Sequence, residues 1–124
     1  MTIEERALGA AIVLDVVGRM TIEEVSDAPL TANVRRLLQE GHRQILLNLK
    51  GVPYVDTAGI CHMVEAFVTT RRQEGSLKLL HLTAHVRAVL TVTRLLTILD
   101  AYDSEGEAIA SFGSADSYRS SQPL

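Results

Sequence analysis

The apolar positions of the chain fall into short runs separated by amphipathic stretches. Residues 10–17 (AAIVLDVV) form a β-branched apolar run followed by Gly18, and residues 44–49 (QILLNL) form a second run. Continuous apolar runs of this length are typical of strands covered on both faces of a sheet. Two further strands are predicted at residues 77–80 and 95–101.

Helical spacing of apolar residues predicts α-helices between these strands. Residues 29–40 place apolar side chains three and four positions apart, with Pro29 in the first turn and Gly41 just past the end. A second helix begins at Thr57 and ends before Gly75. Its predicted core-facing stripe consists of Ile60, Met63, Val64, Phe67 and Val68.

Two capping signals predict the later helices. Thr83 suits the N-cap of a third helix. Ser104 and Glu107 form a capping box for a fourth. The alternation of strands and helices predicts a single α/β domain over residues 1–113, with a mainly parallel sheet of four to five strands and about four helices packed on it. Residues 114–124 are polar and serine-rich, and a disordered tail is expected there.

Composition narrows the possible partners. A chain of 124 residues with 47% hydrophobic content fits one domain with one core. A formal net charge of −3 and 4% aromatic residues supply neither the cationic surface nor the stacking groups that nucleic acid requires. The first ten residues hold three charges and no apolar run, so neither a secretory signal nor direct membrane insertion is expected. The single cysteine, Cys61, excludes an internal disulfide and favours a cytoplasmic protein.

The stretch of residues 52–60 (VPYVDTAGI) is the strongest candidate for function. It joins a predicted buried strand to the start of an amphipathic helix, where unpaired backbone N–H groups and the helix dipole favour negative charge. One interpretation is that Asp56 or Thr57 simply caps the helix. The other is that the Thr57 hydroxyl accepts a phosphate, which would add about −1.5 to −2 charges to a binding surface.

Three segments of the chain resemble the STAS domain family, in particular bacterial anti-sigma factor antagonists. Residues 45–60 (ILLNLKGVPYVDTAGI) are similar to its signature of an apolar strand, a short turn and Asp-Ser/Thr-x-Gly opening a helix. Residues 75–112 resemble the later half of the family, and residues 18–21 (GRMT) resemble its early turn. The resemblance covers roughly residues 8–112 and implies a STAS-type fold.

The resemblance implies a non-enzymatic switch that regulates transcription. In such a switch an anti-sigma factor serine/threonine kinase binds the unphosphorylated domain and releases the sigma factor. Phosphorylation breaks the complex, and a PP2C-type phosphatase restores it. Thr57 takes the position of the phosphoacceptor, and no cofactor or metal is implied. The partner-binding surface would comprise Thr21, Asp56, Thr57, Ala58, Gly59, Ile60, His62 and Met63.

Two departures from the family pattern bear on the identity of the partner. The acceptor is Thr57 rather than the commoner serine, and Thr21 stands where antagonists often carry an acid. An alternative function is that of a STAS interaction subunit in a larger assembly, either a stressosome-like scaffold or the cytoplasmic partner of a transporter. An enzyme in an α/β fold is a third class.

Catalytic and metal sites have little support in the sequence. Cys61 and His62 are neighbours on a helix and therefore point about 100° apart, which prevents a thiol–imidazole pair. Cys61 is expected to be a packing residue at the edge of the stripe. His81 and His85 have i, i+4 spacing, but Thr83 separates them at a helix start, so their geometry does not suit a metal.

Overall fold

The computed structural model describes residues 1–22 and 30–112. The predicted tail at 114–124 and the position of Pro29 lie outside these residues. The strands are β1 (Thr2–Leu8), β2 (Ala11–Val17), β3 (Gln44–Gly51), β4 (Ser76–Leu80) and β5 (Ala101–Tyr102). The helices are α1 (Leu30–Gln39), α2 (Thr57–Arg72), α3 (Ala84–Val92), a 3₁₀ turn (Leu95–Thr97) and α4 (residues 105–112).

The five strands form one sheet in the order β1-β2-β3-β4-β5. β2 to β5 are mutually parallel, and β1 is antiparallel to β2. This confirms the predicted single α/β domain with a mainly parallel sheet. Among the described residues no helix is long and apolar enough to cross a membrane.

The direction of the crossovers decides which face of the sheet each helix covers. Every connection from β2 to β5 moves to the adjacent strand in the same direction, so right-handed crossovers place α1, α2 and α3 on one face. On β3, Ile45 and Leu47 belong to the core beneath these helices. Leu46 points to the other face, where it packs in a second core with Phe112 of α4. Burial on both faces explains the unbroken apolar runs of β2 and β3.

β1 was not predicted, because its sequence, TIEERAL, is mostly polar and exposed. It is held instead by backbone pairing along its whole length with β2 and by the Arg6 guanidinium, which binds the Asp15 carboxylate. Gly9, with φ of +63°, permits the two-residue turn between the strands. Gly9 is therefore the sequence feature from which a hairpin could have been predicted.

The predicted strand at 95–101 is wrong apart from its last residue. Leu95–Thr97 forms the 3₁₀ turn, and β5 begins only at Ala101. The apolar residues there recur at helical rather than alternating spacing: Leu95, Leu96 and Leu99 pack on the core beneath α3, while Thr97 and Ile98 are exposed. Arg94, with φ of +61°, ends α3 and turns the chain into this segment.

The buried face of α2 is rotated from the predicted stripe. Its buried residues are Gly59, Met63, Ala66 and Thr70, and Val68 is exposed. The Thr70 hydroxyl is satisfied by donating to the Ala66 carbonyl at 2.8 Å. Met63 of the predicted stripe lies on this buried line, and the other three residues of the line are small. The predicted Ile60, Val64 and Phe67 are half-buried beside it.

The two phenylalanines give a matched test of this packing. Phe112 is 1% exposed in the core beneath α4, whereas Phe67 is half-buried at the edge of the other core under Arg71. We expect Phe112→Ala to lower the free energy of unfolding by about 3–5 kcal/mol. Phe67→Ala should cost about 1–2 kcal/mol, because less of its surface leaves water on folding. Urea denaturation measures both values, and an equal cost for the two variants would contradict the assignment.

Candidate functional site

The start of α2 is built around the carboxylate of Asp56. Asp56 is the N-cap residue, and its Oδ1 accepts a hydrogen bond from the Gly59 backbone N–H at 3.0 Å. Its Oδ2 accepts a second bond from the backbone N–H of Ile22 at 3.1 Å. Asp56 therefore performs the capping, and Thr57 is the first helical residue with an exposed side chain.

The chain after β2 is joined to the turn after β3 by backbone hydrogen bonds. Met20 N–H donates to the Tyr54 carbonyl at 3.0 Å, and Asp56 N–H donates to the Met20 carbonyl at 3.1 Å. Met20 and Val55 form a parallel bridge, which extends the β2–β3 pairing past the strand ends. The site therefore sits at the carboxyl edge of the parallel sheet, where loops commonly carry function.

Gly59 is required by the packing of the backbone. A Cβ atom at this position would lie 2.2 Å from the Met20 carbonyl oxygen and 2.5 Å from a Val55 methyl carbon. Gly59 is therefore buried against the segment after β2. Its small size lets two segments of this chain touch.

The pKa of the Asp56 carboxyl is lowered. The main cause is the hydrogen bond from the Gly59 N–H, partial burial acts in the opposite direction, and the Ile22 N–H lowers it further. The carboxylate is therefore charged at neutral pH. It adds a fixed negative charge beside the Thr57 hydroxyl.

The predicted partner surface is only partly exposed. Thr57 is exposed, and Gly59 and Met63 are buried, with Met63 at 0% exposure. The inner face of α2 begins with Gly59 and Met63, so the surface that this chain presents at the site is formed by the other predicted residues. The remaining predicted residues are half-buried: Thr21, Asp56, Ala58, Ile60 and His62.

A stack of three side chains beside Thr57 was missed by the sequence reasoning. The Tyr54 ring stacks on the His85 imidazole, with centroids 4.6 Å apart and planes at 19°. The Arg19 guanidinium carbon lies 4.9 Å from the centroid of the same ring. His85 Nε2 lies 3.2 Å from the Val55 carbonyl oxygen, a contact that requires this nitrogen to carry the hydrogen. No local sequence pattern links these residues, because they lie in three segments that are far apart in the sequence: after β2, after β3 and at the start of α3.

Two other sequence predictions can be compared with the structure. Cys61 is exposed and is not a packing residue, because the buried line of α2 runs through Met63 and Ala66 instead. Thr83 occupies the N-cap position of α3, but its hydroxyl donates to the Val52 carbonyl at 2.7 Å rather than accepting from its own helix. In residues 1–22 and 30–112 no group of three or more His, Cys, Asp or Glu could hold a metal ion.

Two glycines on helices separate the effect of packing from that of helix propensity. Gly59→Ala should destabilise the protein by about 1–3 kcal/mol, because the new methyl group overlaps the Met20 backbone. Gly106→Ala in α4 meets nothing within 4 Å and should stabilise by about 0.5–1 kcal/mol. Thermal unfolding measures both changes. A Gly59→Ala protein as stable as the wild type would contradict the close contact.

The lowered pKa of Asp56 makes a prediction about pH. A carboxyl whose folded pKa lies below its unfolded value, about 3.9, stabilises the fold above that value. This stabilisation is lost as the pH falls through the folded pKa. The difference in melting temperature between the wild type and Asp56→Asn should therefore be largest near pH 7 and shrink below about pH 4. A difference that stays constant from pH 7 to pH 3 would contradict the assignment.

Comparison with known proteins places most of the chain in one family. The model of the STAS domain family matches residues 3–108. BtrV of Bordetella bronchiseptica, a candidate anti-sigma factor antagonist, is 29% identical over 86 residues, which are 69% of this chain and 74% of BtrV.

Solved structures share the fold at low sequence identity. The candidate anti-sigma factor antagonist TM1081 of Thermotoga maritima has a TM-score of 0.76 at 20% identity, over 89% of this chain and 93% of that one. Unphosphorylated SpoIIAA has a TM-score of 0.70 at 18% identity, over 98% of this chain and all of that one. The phosphorylated form of SpoIIAA, from Bacillus, has a TM-score of 0.66 at 17% identity, over 89% and 98%. Because the family model matches most of its residues, this chain belongs to the STAS domain family.

Proposed function

We propose that the chain is an anti-sigma factor antagonist controlled by phosphorylation of Thr57. The unphosphorylated form binds an anti-sigma factor serine/threonine kinase in the cytoplasm and thereby releases a sigma factor. The kinase transfers the γ-phosphoryl group of ATP to the Thr57 oxygen, the hydroxyl proton leaves and ADP is released. A PP2C-type phosphatase hydrolyses the ester and restores binding. The chain itself acts by binding, and catalysis belongs to its partners.

The position of the Thr57 side chain is the observation that carries the proposal. It is exposed on the first residue of α2, while Asp56 before it and Gly59 after it are held against the segment that follows β2. A kinase can therefore reach the hydroxyl without moving the backbone. The same position is the one that matches the acceptor of the family motif.

The magnitudes indicate that a phosphate would act on binding rather than on folding. A surface anion near a helix N-terminus is stabilised by about 0.3–1 kcal/mol, which is small against a typical domain stability of about 5–15 kcal/mol. Within a protein interface the same dianion loses its water, and an unpaired buried ion costs several kcal/mol. A complex that covers Thr57 would be lost while the fold remained.

The relatives support this reading. BtrV is a candidate antagonist of the same class, and its match covers about two thirds of this chain. SpoIIAA has been solved with and without its phosphate, and this chain shares the fold of both forms. A STAS fold is therefore compatible with a switch that changes charge and leaves the architecture intact.

Substitutions of Thr57 test the switch. Thr57→Ala should bind the anti-sigma factor kinase at least as tightly as the wild type and remain bound in the presence of ATP. Thr57→Glu should bind at least about tenfold more weakly, because it places a charge in the interface. Calorimetry with the purified kinase from the same genome measures the affinities.

Thr97→Glu is the matched control. Thr97 is exposed in the 3₁₀ turn at the opposite end of the sheet, where it lines a groove with Arg71 and Arg72. Its substitution should leave the affinity unchanged. Mass spectrometry after incubation with the kinase and ATP should place the phosphate on Thr57. Equal affinity of Thr57→Ala and Thr57→Glu, or phosphate at other residues alone, would contradict the proposal.

A further inference from the structure

The two edges of the sheet differ in length. β5 ends the sheet on one side and contains only two residues, whereas β1 ends it on the other side and contains seven. All seven residues of β1 pair with β2 on the inner side. In residues 1–22 and 30–112 no strand pairs with its outer side. A long edge of this kind exposes backbone groups to which another strand can bind, and proteins usually limit such edges by keeping them short.

The outward backbone groups of β1 belong to every second residue. Leu8 and Ala11 flank the two-residue turn, and such a flanking pair exchanges both of its hydrogen bonds. Hydrogen-bonded pairs alternate along an antiparallel ladder, so the even-numbered residues of β1 bond to β2. The bond from the Gly18 N–H to the Gly51 carbonyl agrees with this, since it directs the odd-numbered residues of β2 to β1. The N–H and C=O groups that point away from the sheet are therefore those of Ile3, Glu5 and Ala7.

The sequence of β1 is complementary to itself when two copies run antiparallel. One alignment pairs the whole strand: Glu5 lies opposite Glu5 of the second copy, and Ile3 lies opposite Ala7. This alignment joins outward backbone groups to outward backbone groups. It also places Glu4 of each copy opposite Arg6 of the other, so two pairs of opposite charge form. An alignment shifted by one pair in either direction places Glu4 opposite Glu4 or Arg6 opposite Arg6.

The ion pairs within one copy leave these charges accessible to a second copy. Arg6 binds Asp15 and Glu105 through its Nε and Nη2 atoms, and its side chain is still 41% exposed. Glu4 is exposed and lies directly opposite Asp15 on β2, so it faces a like charge within its own copy. Arg6 of a second copy supplies the opposite charge on the other side of Glu4.

The facing Glu5 carboxylates are the unfavourable contact of this alignment, and α1 compensates for them. Glu5 forms an ion pair with Arg36 of α1. Each copy therefore brings one arginine to the same face of the joined sheet. Two carboxylates and two guanidinium groups then meet around the axis, so the cluster is balanced in charge.

We propose that the chain forms a two-fold homodimer in which the β1 strands of two copies pair antiparallel and join the two sheets into one. Backbone hydrogen bonds of Ile3, Glu5 and Ala7 hold the dimer together, and the Glu4–Arg6 pairs fix its alignment. Charged side chains usually keep an edge strand unpaired. Here both signs occur in an order that accepts a second copy and disfavours the shifted alignments. The dimer does not involve Thr57 and is independent of the proposed function.

Sedimentation equilibrium of the purified protein, at concentrations up to about 1 mM, tests the dimer. The wild type should change from monomer to dimer as its concentration rises. Glu4→Arg should weaken the dimer by at least about tenfold, because arginines then face each other at both ends of the pairing. Glu65→Arg is the matched control: Glu65 is exposed on α2, so the same change of charge there should leave the dimer intact.

Ala7→Pro tests the backbone pairing. The Ala7 N–H points away from β2, so the substitution removes a bond to the second copy and none to β2. The variant should therefore remain folded, which thermal unfolding measures, and should be monomeric at concentrations where the wild type is a dimer.

Cross-linking tests the alignment, in a Cys61→Ser background that removes the exposed native thiol. Glu5→Cys places two cysteines opposite each other, with Cα atoms about 5.5 Å apart, a distance that a disulfide spans. Mild oxidation should give a covalent dimer. Ala7→Cys lies on the same face but opposite Ile3, so it should remain a monomer on a non-reducing gel.

Three results would overturn the proposal. The first is a wild type that stays monomeric up to about 1 mM, which would leave the edge open to a strand of another protein. The second is a dimer that Glu4→Arg and Ala7→Pro leave unchanged, since it would use another surface. The third is equal cross-linking of Glu5→Cys and Ala7→Cys.

Discussion

The site depends on one carboxylate that holds two distant pieces of backbone. Asp56 accepts from the N–H of Gly59 in its own helix and from the N–H of Ile22, 34 residues earlier in the chain. The first bond caps α2, and the second ties the start of that helix to the segment leaving β2. Because successive helical residues point about 100° apart, fixing Asp56 and burying Gly59 leaves Thr57 directed to solvent.

This constraint connects the backbone around Thr57 to a second segment at several points. The segment from Gly18 to Ile22 follows the turn after β3 through successive hydrogen bonds, and Gly59 removes the space between them. A modification of Thr57 would therefore change the conformation of this backbone little. For the phosphorylation of Thr57 that we propose, this connection favours an effect through charge and volume at the surface over the ordering or release of a loop.

The parts of the fold that were predictable are those where one physical effect dominates. The strands at 10–17 and 44–49 are apolar on both faces, so their burial was evident from the residues alone. β1 is held by backbone pairing and an Arg6–Asp15 ion pair. A search for apolar patterns detects neither interaction. In α2 three of the four residues on the contact line are small, and a search for large apolar side chains found only Met63 of that line and otherwise selected its flanks.

The same distinction applies to the site. Asp56, Thr57 and Gly59 are neighbours in sequence, so their motif could be identified before the fold was known. The roles of Asp56 and Gly59 required the fold, because both depend on the segment that ends with Ile22. Arg19, Tyr54 and His85 meet only because three parallel strands end at one edge of the sheet. Because these residues are far apart in the sequence, no local pattern predicts their contact.

The balance of charge around Thr57 explains why a single modification could control binding. The chain carries a net charge of −3, and the charged Asp56 carboxylate lies one residue before Thr57. A phosphate of about −1.5 to −2 charges makes this small region strongly negative. Screening limits that field to about 8 Å at physiological salt, so it would act mainly on a partner that covers Thr57. In the switch that we propose, a partner that covers Thr57 would therefore have to bury this added charge, and the complex would be weakened.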